Sequence, residues 1–345
     1  MKVLSLFDGI SCGRLALGRA GVKVDKYYAS EVERKVIDVT MYHFPDTVQL
    51  GDVTALTTER LEELGEIDLL IGGSPCQGFS LAGNRLNFED ERSRLLFEYV
   101  RVLKTVKSRF FLLENVNMMR DVVHAISEEL GVKPRLIDSE LFSAQGRKRL
   151  YWTNIDVPEL PAHNDLGVED ILEENPRSRW TPTIERQKDV LLGEVARGRA
   201  NGDGDVFELL DEEGRCFSKK QIVNLGNFKW KGLEFVRPAL SVKKVNNRQR
   251  GPRFRLSTNK AYTVTTHDSD CHGIVTERGL REFSFVELER LQTLPDNYTE
   301  KAIGDLGGYA PRRHAIGNAW TVEVIRHIFS GLPDEYKTRI CARSI

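Results

Sequence analysis

The sequence predicts an open α/β fold of the nucleotide-binding type, and three observations predict it. Short apolar runs alternate with helical segments through the first 150 residues. The runs end in residues that carry chemistry: Asp8, Glu31, Asp52, Cys76 and Glu114. The turn after the first run, Asp8-Gly9-Ile10-Ser11-Cys12-Gly13, contains glycine and leads into a helix, which brings backbone and helix N–H groups close to any ligand. That turn is not a GxGxxG fingerprint, so it gives a dinucleotide little support, and a plain βα turn explains it as well.

In order, Lys2 to Phe7 reads as a buried strand and Arg14 to Ala20 as a helix stopped by Gly21. Val24 to Ser30 is a second strand, ending at Glu31. An acid there suits ribose hydroxyls, and equally suits a helix start favoured by the dipole. Val32 to Phe44 is helical, Val48 to Val53 is a third strand, and Thr57 caps a helix that Gly65 ends. The fourth strand, Ile67 to Ile71, runs into Gly72-Gly73-Ser74-Pro75-Cys76-Gln77. Its glycines and proline turn the chain sharply and deliver one thiol to the carboxyl edge of the sheet. Taken alone, Cys76 is more readily a small buried apolar residue.

Leu81 to Arg92 is a polar loop, either a lid over the cysteine or a solvated connection. The helix Ser93 to Lys104 leads to an apolar strand, Arg109 to Val116, which places Glu114 and Asn115 at the same edge. Polar groups are rare where buried strands end unless something pairs with them. Met118 to Leu130 reads as a helix and Leu136 to Phe142 as a strand. Gln145, Arg147 and Arg149 then alternate as on one face of an extended strand, or form a surface basic run.

From about Ile155 the rhythm stops and prolines become dense. Between Asn224 and Lys260 there are ten Lys/Arg and one Glu, interleaved with Phe228, Trp230, Phe235 and Phe254. Lys243, Lys244, Arg248, Arg250, Arg253 and Arg255 there suit phosphate contacts and base-edge readout, against the plainer reading of a solvated basic face. Arg281 to Leu294 is helical, and Gly317-Asn318-Ala319-Trp320 precedes a last helix, Val322 to Phe329.

The whole chain sets bounds. Its 345 residues make one large or two modest domains, and 40% hydrophobic with 29% charged content is ordinary for a soluble enzyme. The net charge of −1 exerts no global pull on nucleic acid, so attraction must be local. Five scattered cysteines with no CxxC spacing disfavour a disulfide framework and a structural zinc site, and a reducing cytosol is expected. The first residues read as a strand rather than a signal peptide, and no apolar run reaches membrane-spanning length.

Taken together, the blocks resemble the cytosine-C5 DNA methyltransferases. They are Phe7-Asp8-Gly9, Ser30-Glu31, Gly51-Asp52-Val53, Ser74-Pro75-Cys76-Gln77, Glu114-Asn115-Val116, Gln145 to Arg149, Arg281 to Gln292 and Gly317-Asn318-Ala319, in the family's order. Leu4 to Ile10 and Ala319-Trp320 look like the eukaryotic de novo branch; Pro-Cys-Gln-Gly-Phe-Ser and the compact length look like bacterial or phage enzymes. Ser11-Cys12 stands where bacterial members usually carry two glycines.

The resemblance implies a Rossmann-like S-adenosylmethionine-dependent methyltransferase domain, residues 1–154 plus 311–345. A smaller, mostly irregular or β target-recognition domain, 155–310, would bind duplex DNA. It implies S-adenosyl-L-methionine as donor and S-adenosyl-L-homocysteine as product. Phe7 would lie against the adenine. Asp8, Gly9, Ile10, Ser11 and Cys12 would surround the methionine part. Glu31 would hold the ribose, Asp52 and Val53 the adenine, and Asn318, Ala319 and Trp320 would complete the pocket. Cys76 would add to C6 of a flipped-out cytosine, Glu114 would hold a proton at N3, and Arg149 with Arg147 would orient the base. Gln77 and Ser80 would join the basic segment on DNA. A monomer without metal, in the cytosol and on the nucleoid, is expected.

The competing readings are a silent DNA-binding homologue, a tRNA cytosine methyltransferase and a nicotinamide dehydrogenase. The chain keeps Cys76, Glu114 and the arginines, and lacks the Pro-Pro-Cys and Cys-Phe-Thr blocks of the tRNA type and the GxGxxG of the dehydrogenase.

Overall fold

The computed structural model describes residues 1–74, 91–177, 238–242, 252–256, 260–261, 263–266, 271–276, 279–304 and 309–338. Cys76, Gln77, Ser80, Lys243, Lys244, Arg248 and Arg250 lie outside them; Arg253 and Arg255 fall on a strand whose backbone alone is described.

A seven-stranded sheet organises the first half. Its strands are β1 (Lys2–Leu6), β2 (Lys26–Ser30), β3 (Val48–Gln49), β4 (Leu69–Gly73), β5 (Phe110–Val116), β6 (Arg135–Asp138) and β7 (Lys148–Thr153). They lie in the order β3-β2-β1-β4-β5-β7-β6. β7 runs antiparallel to both neighbours and the other pairings are parallel. The order reverses between β1 and β4, so a crevice opens outside their carboxyl ends, where open α/β sheets bind ligands.

The helices are α1 (Cys12–Arg19), α2 (Arg34–His43), α3 (Thr58–Glu63), α4 (Glu91–Val106) and α5 (Arg120–Leu130), then α6 (Phe285–Leu291), α7 (Glu300–Ile303), α8 (Tyr309–Asn318) and α9 (Val322–Phe329). They cover the sheet in two apolar layers. One joins Val3, Leu69, Ile71 and Leu112 to α1, α2 and α9, and takes in Ile155, Val157, Leu294 and Tyr298. The other joins Leu4, Leu6, Leu70 and Leu113 to α4 and α5. Strands buried on both faces by helices explain the unbroken apolar runs of the sequence. A separate four-stranded antiparallel sheet, in the order β11-β10-β8-β9, is built from β8 (Pro238–Val242), β9 (Pro252–Leu256), β10 (Cys271–Thr276) and β11 (Gly279–Glu282).

Several elements are shorter than the sequence suggests, and three of them are cut by a capping side chain. Asp52 accepts from the Thr54 N–H at 2.9 Å and caps a 3₁₀ turn, so β3 stops at Gln49. Asp138 accepts from Glu140 N–H and Arg147 N–H, turning the chain where a strand to Phe142 is expected. Ser284 and Glu287 form a reciprocal capping box, so α6 begins at Phe285, and Arg281 belongs to β11. α5 starts at Arg120 because Met119 is extended. α9 spans the expected residues.

Candidate active site

The β1–α1 turn is wound tightly. Phe7, Gly9 and Ser11 all have φ near +57° (56°, 57° and 57°), and only one of them is glycine. The left-handed region costs a side chain on the order of 1–2 kcal/mol, and here hydrogen bonds offset it. Asp8 carries most of them. Although the residue is half-buried, its carboxylate is turned inward, accepting from Tyr27 OH at 2.8 Å and from Ser11 Oγ. Thr40 Oγ1 meets Ser11 Oγ at 3.0 Å and donates to the Gly9 carbonyl at 3.2 Å. Burial pushes the Asp8 carboxyl above the usual carboxylate range, against the hydrogen bonds from Ser11, Ser5 and Tyr27. Tyr298, 2% exposed, donates its OH to the Ile10 carbonyl at 3.0 Å. Asp8 thus braces the turn from within, and Ile10, Ser11 and Cys12 are buried; what the turn offers a ligand is backbone. Burial pushes the Cys12 thiol up to about 12, so it is an inert packing residue.

Glu31 stands at the end of β2. Its Oε1 accepts from the N–H groups of Val32 and Glu33 and its Oε2 from Gly9 N–H at 2.9 Å. A carboxylate oxygen accepts about two hydrogen bonds, so the remaining capacity is on Oε2. Beside it, Val32 is 69% exposed, an uncovered apolar surface. A Cβ at Gly9 or Gly51 would meet nothing within 4 Å. A carboxylate acceptor, an apolar face and open backbone are the donor set and space a nucleoside needs. Asp52 is exposed with one oxygen spent on its cap. Val53 points into the second core, leaving its N–H rather than its side chain for a ligand.

The thiol's neighbourhood is described up to Ser74. Asn115 Nδ2 donates to Ser74 Oγ at 2.9 Å, tying the end of β4 to β5 two residues before Cys76. Glu114, on β5, is in register with Gly73 on β4 and with Tyr151 on β7. Its carboxylate, 9% exposed as a residue, is held from two sides: Arg149 Nε lies 3.1 Å from Oε1, and Trp320 Nε1–H donates to Oε2 at 3.0 Å. At least one accepting direction remains on each oxygen.

Gln145, Arg147 and Arg149 do face one way, yet they do different things. The Arg147 guanidinium, on a residue 5% exposed, donates to the carbonyls of Val264, Gly317 and Ala319 at 2.9, 3.0 and 3.2 Å. Gln145 donates to the Leu291 carbonyl and accepts from Val264 N–H, and Gln292 donates to the carbonyls of Ile316 and Ala319. This buried polar layer fixes the Gly317–Trp320 segment. A Cβ on Gly317 would lie 2.6 Å from the Thr265 backbone, which is why the segment carries glycine there. Tyr27, Thr40 and Tyr298 carry no signal in the sequence, because their partners are distant along the chain.

Among the described residues no group of acids, histidines and cysteines could hold a metal, and no helix is long and apolar enough to cross a membrane.

The arrangement of sheet and site defines a class: a Rossmann-like methyltransferase. The family described as C-5 cytosine-specific DNA methylase matches residues 1–333, and the chain belongs to that family. It is an S-adenosylmethionine-dependent DNA cytosine methyltransferase. It is 27% identical over 435 positions to the orphan methyltransferase M.SPRI of Bacillus phage SPR, covering 97% of this chain and 98% of that one. It is 31% identical over 262 positions to the type II methyltransferase M.NgoBV of Neisseria gonorrhoeae, covering 65% and 60%. Among solved structures, the DNMT2 of Spodoptera frugiperda (a triple mutant) is similar in fold, with a TM-score of 0.57 at 16% identity over 96% of this chain and 98% of that one. S. pombe Dnmt2 methyltransferase gives 0.54 at 15% over 96% and 97%.

Proposed function

We propose that the chain methylates C5 of a cytosine flipped out of duplex DNA, through a covalent bond between Cys76 and C6. The observation that carries this reading is Glu114: a nearly buried carboxylate with the Trp320 N–H on one oxygen and the Arg149 guanidinium beside the other, next to the strand that leads to Cys76. Cytosine C5 is a poor nucleophile until C6 is attacked. The Cys76 thiolate would form the S–C6 bond while Glu114, protonated, passes its proton to N3 and offsets the charge developing there. Bound S-adenosylmethionine supplies an electrophilic methyl group. Loss of the C5 proton to water then re-forms the C5–C6 double bond and expels the thiolate, and N3 returns its proton to Glu114. Arg149, holding Glu114 by Nε, would present its remaining N–H groups to the base O2. Arg147 would act on the same site only through the backbone it fixes.

For the cofactor, Glu31 Oε2 would accept from the ribose, with Val32 and Phe7 along the adenine and Asp52 and the Val53 N–H at its edge. The Asp8–Cys12 backbone, with the N-terminal N–H groups of α1, suits the methionine carboxylate. Asn318, Ala319 and Trp320 would close the pocket. We also propose the division into a catalytic unit, 1–154 plus 311–345, and a target-recognition unit, 155–310. The packing of Leu294 and Tyr298 with the sheet argues for returning to the catalytic unit before Leu294 rather than at 311. The basic segment with Arg253 and Arg255, and Gln77 with Ser80, would contact DNA in a cytosolic, monomeric enzyme.

The test is transfer from labelled S-adenosylmethionine to duplex DNA, wild type beside Cys76→Ser, with bisulfite sequencing of the product. Label on cytosine C5 that the variant fails to add supports the reading and reads out the target sequence. DNA binding without label would indicate a silent homologue, and label on RNA alone the tRNA-type activity.

A further inference from the structure

We propose that Trp320 is a positioning residue for Glu114, orienting the carboxyl that protonates the base; the inference rests on the reading above. The indole N–H donates to Glu114 Oε2 at 3.0 Å, while Arg149 takes Oε1 at 3.1 Å. A carboxyl torsion is broad and roughly two-fold unless something fixes it. With the indole hydrogen bond on one oxygen and the guanidinium charge beside the other, arriving from separate parts of the fold, the plane of this carboxylate has one orientation.

The indole is itself held. Its preceding carbonyl, that of Ala319, accepts from Arg147 at 3.2 Å and from Gln292 at 3.1 Å. Its following residue, Thr321, donates to Gln292 at 3.0 Å and accepts from Ser139 at 2.9 Å. The ring fills the gap between the first turn of α1 and the end of β4. A Cβ on Gly13 would lie 3.3 Å from Cζ3. One on Gly73 would lie 2.8 Å from Nε1 and 2.9 Å from Glu114 Oε2. Gly73 is in register with Glu114, so a side chain there would sit on the indole–carboxylate contact. The absence of a side chain at that position leaves room for this hydrogen bond. Trp320 thus joins the turn proposed for the cofactor to the proposed acid, a connection that a purely cofactor-lining residue would not need.

The experiment replaces Trp320 in the full chain with 3-benzothienylalanine, an isostere whose sulfur stands where the N–H was, introduced by codon suppression. Methyl transfer to duplex DNA at saturating S-adenosylmethionine and S-adenosylhomocysteine affinity are measured for both proteins. The expected result is a single-turnover rate about tenfold lower. S-adenosylhomocysteine affinity stays within about twofold of wild type. In the Glu114→Gln background the isostere changes the residual rate less than twofold, because its acceptor is already altered. An unchanged rate, a loss confined to cofactor affinity, or equal losses in both backgrounds would overturn the positioning role. No transfer by the wild-type protein would instead overturn the function on which it rests.

Discussion

Replacing Arg147 by lysine separates a residue that touches the base from one that holds the site together. Arg147 spans three carbonyls on two segments, at 2.9 Å to Val264 and at 3.0 and 3.2 Å to Gly317 and Ala319. A lysine concentrates its charge on one atom and cannot copy the planar fork. One of these bonds would be lost and a second weakened, at about 1.5–3 kcal/mol for a full bond from a charged donor, or about 2–4 kcal/mol together. At about 2.1 cal/mol/K of unfolding entropy per residue, the 345-residue chain changes by about 0.7 kcal/mol per degree. The expected fall in Tm is therefore about 3–6 °C, read by calorimetry. Because the loosened carbonyls lead to Asn318 and Trp320, the KM for S-adenosylmethionine should rise about tenfold, with a smaller loss in kcat. A loss of more than about 100-fold in kcat at unchanged Tm and cofactor KM would refute the reasoning, and would put Arg147 on the base instead.

Three further outcomes follow from the geometry. Gly73→Ala places a methyl 2.8 Å from the Trp320 N–H and 2.9 Å from Glu114, so single-turnover transfer should fall about tenfold, with cofactor affinity held; an unchanged rate would contradict the crowding. Tyr298→Phe removes the donor to the Ile10 carbonyl, leaves a buried acceptor unmade at about 1–2 kcal/mol, and should weaken S-adenosylhomocysteine binding several-fold by calorimetry. Cys12, pushed to about 12, has a thiolate fraction on the order of 10⁻⁴ at pH 8. Iodoacetamide should therefore miss it in the folded protein and modify it in urea, as peptide mass mapping would report. Since its folded value lies above its ordinary 9.0, the folded state holds the proton more tightly. That contribution to stability is complete below pH 9 and is lost from pH 9 toward 12, so Cys12→Ala should flatten the alkaline fall in Tm.

What the sequence determined by itself was the alternation of buried strands and helices, because strands covered on both faces must be apolar throughout and their ends must be polar. That is why Glu31 and Glu114 stand out as acids at strand ends, with a helix-start reading equally open for Glu31, and why α9 is read to its ends. The local caps at Asp52, Asp138 and Ser284 compete over one or two turns, and the apolar runs around them conceal where each element stops. Only the tertiary structure decided what each polar residue does. Asp8 ends a strand as Glu31 does, yet Tyr27 and Ser11 turn its carboxylate inward. Arg147 and Arg149 share one face and one charge, yet one is enclosed by carbonyls over 100 residues away and the other meets Glu114. The contact between Trp320 and Glu114 spans 206 residues, and Gly73 permits it only because parallel pairing sets that glycine beside Glu114. Periodicity reports which way a side chain points along its own strand; the partner it finds there depends on which distant segment folds over it.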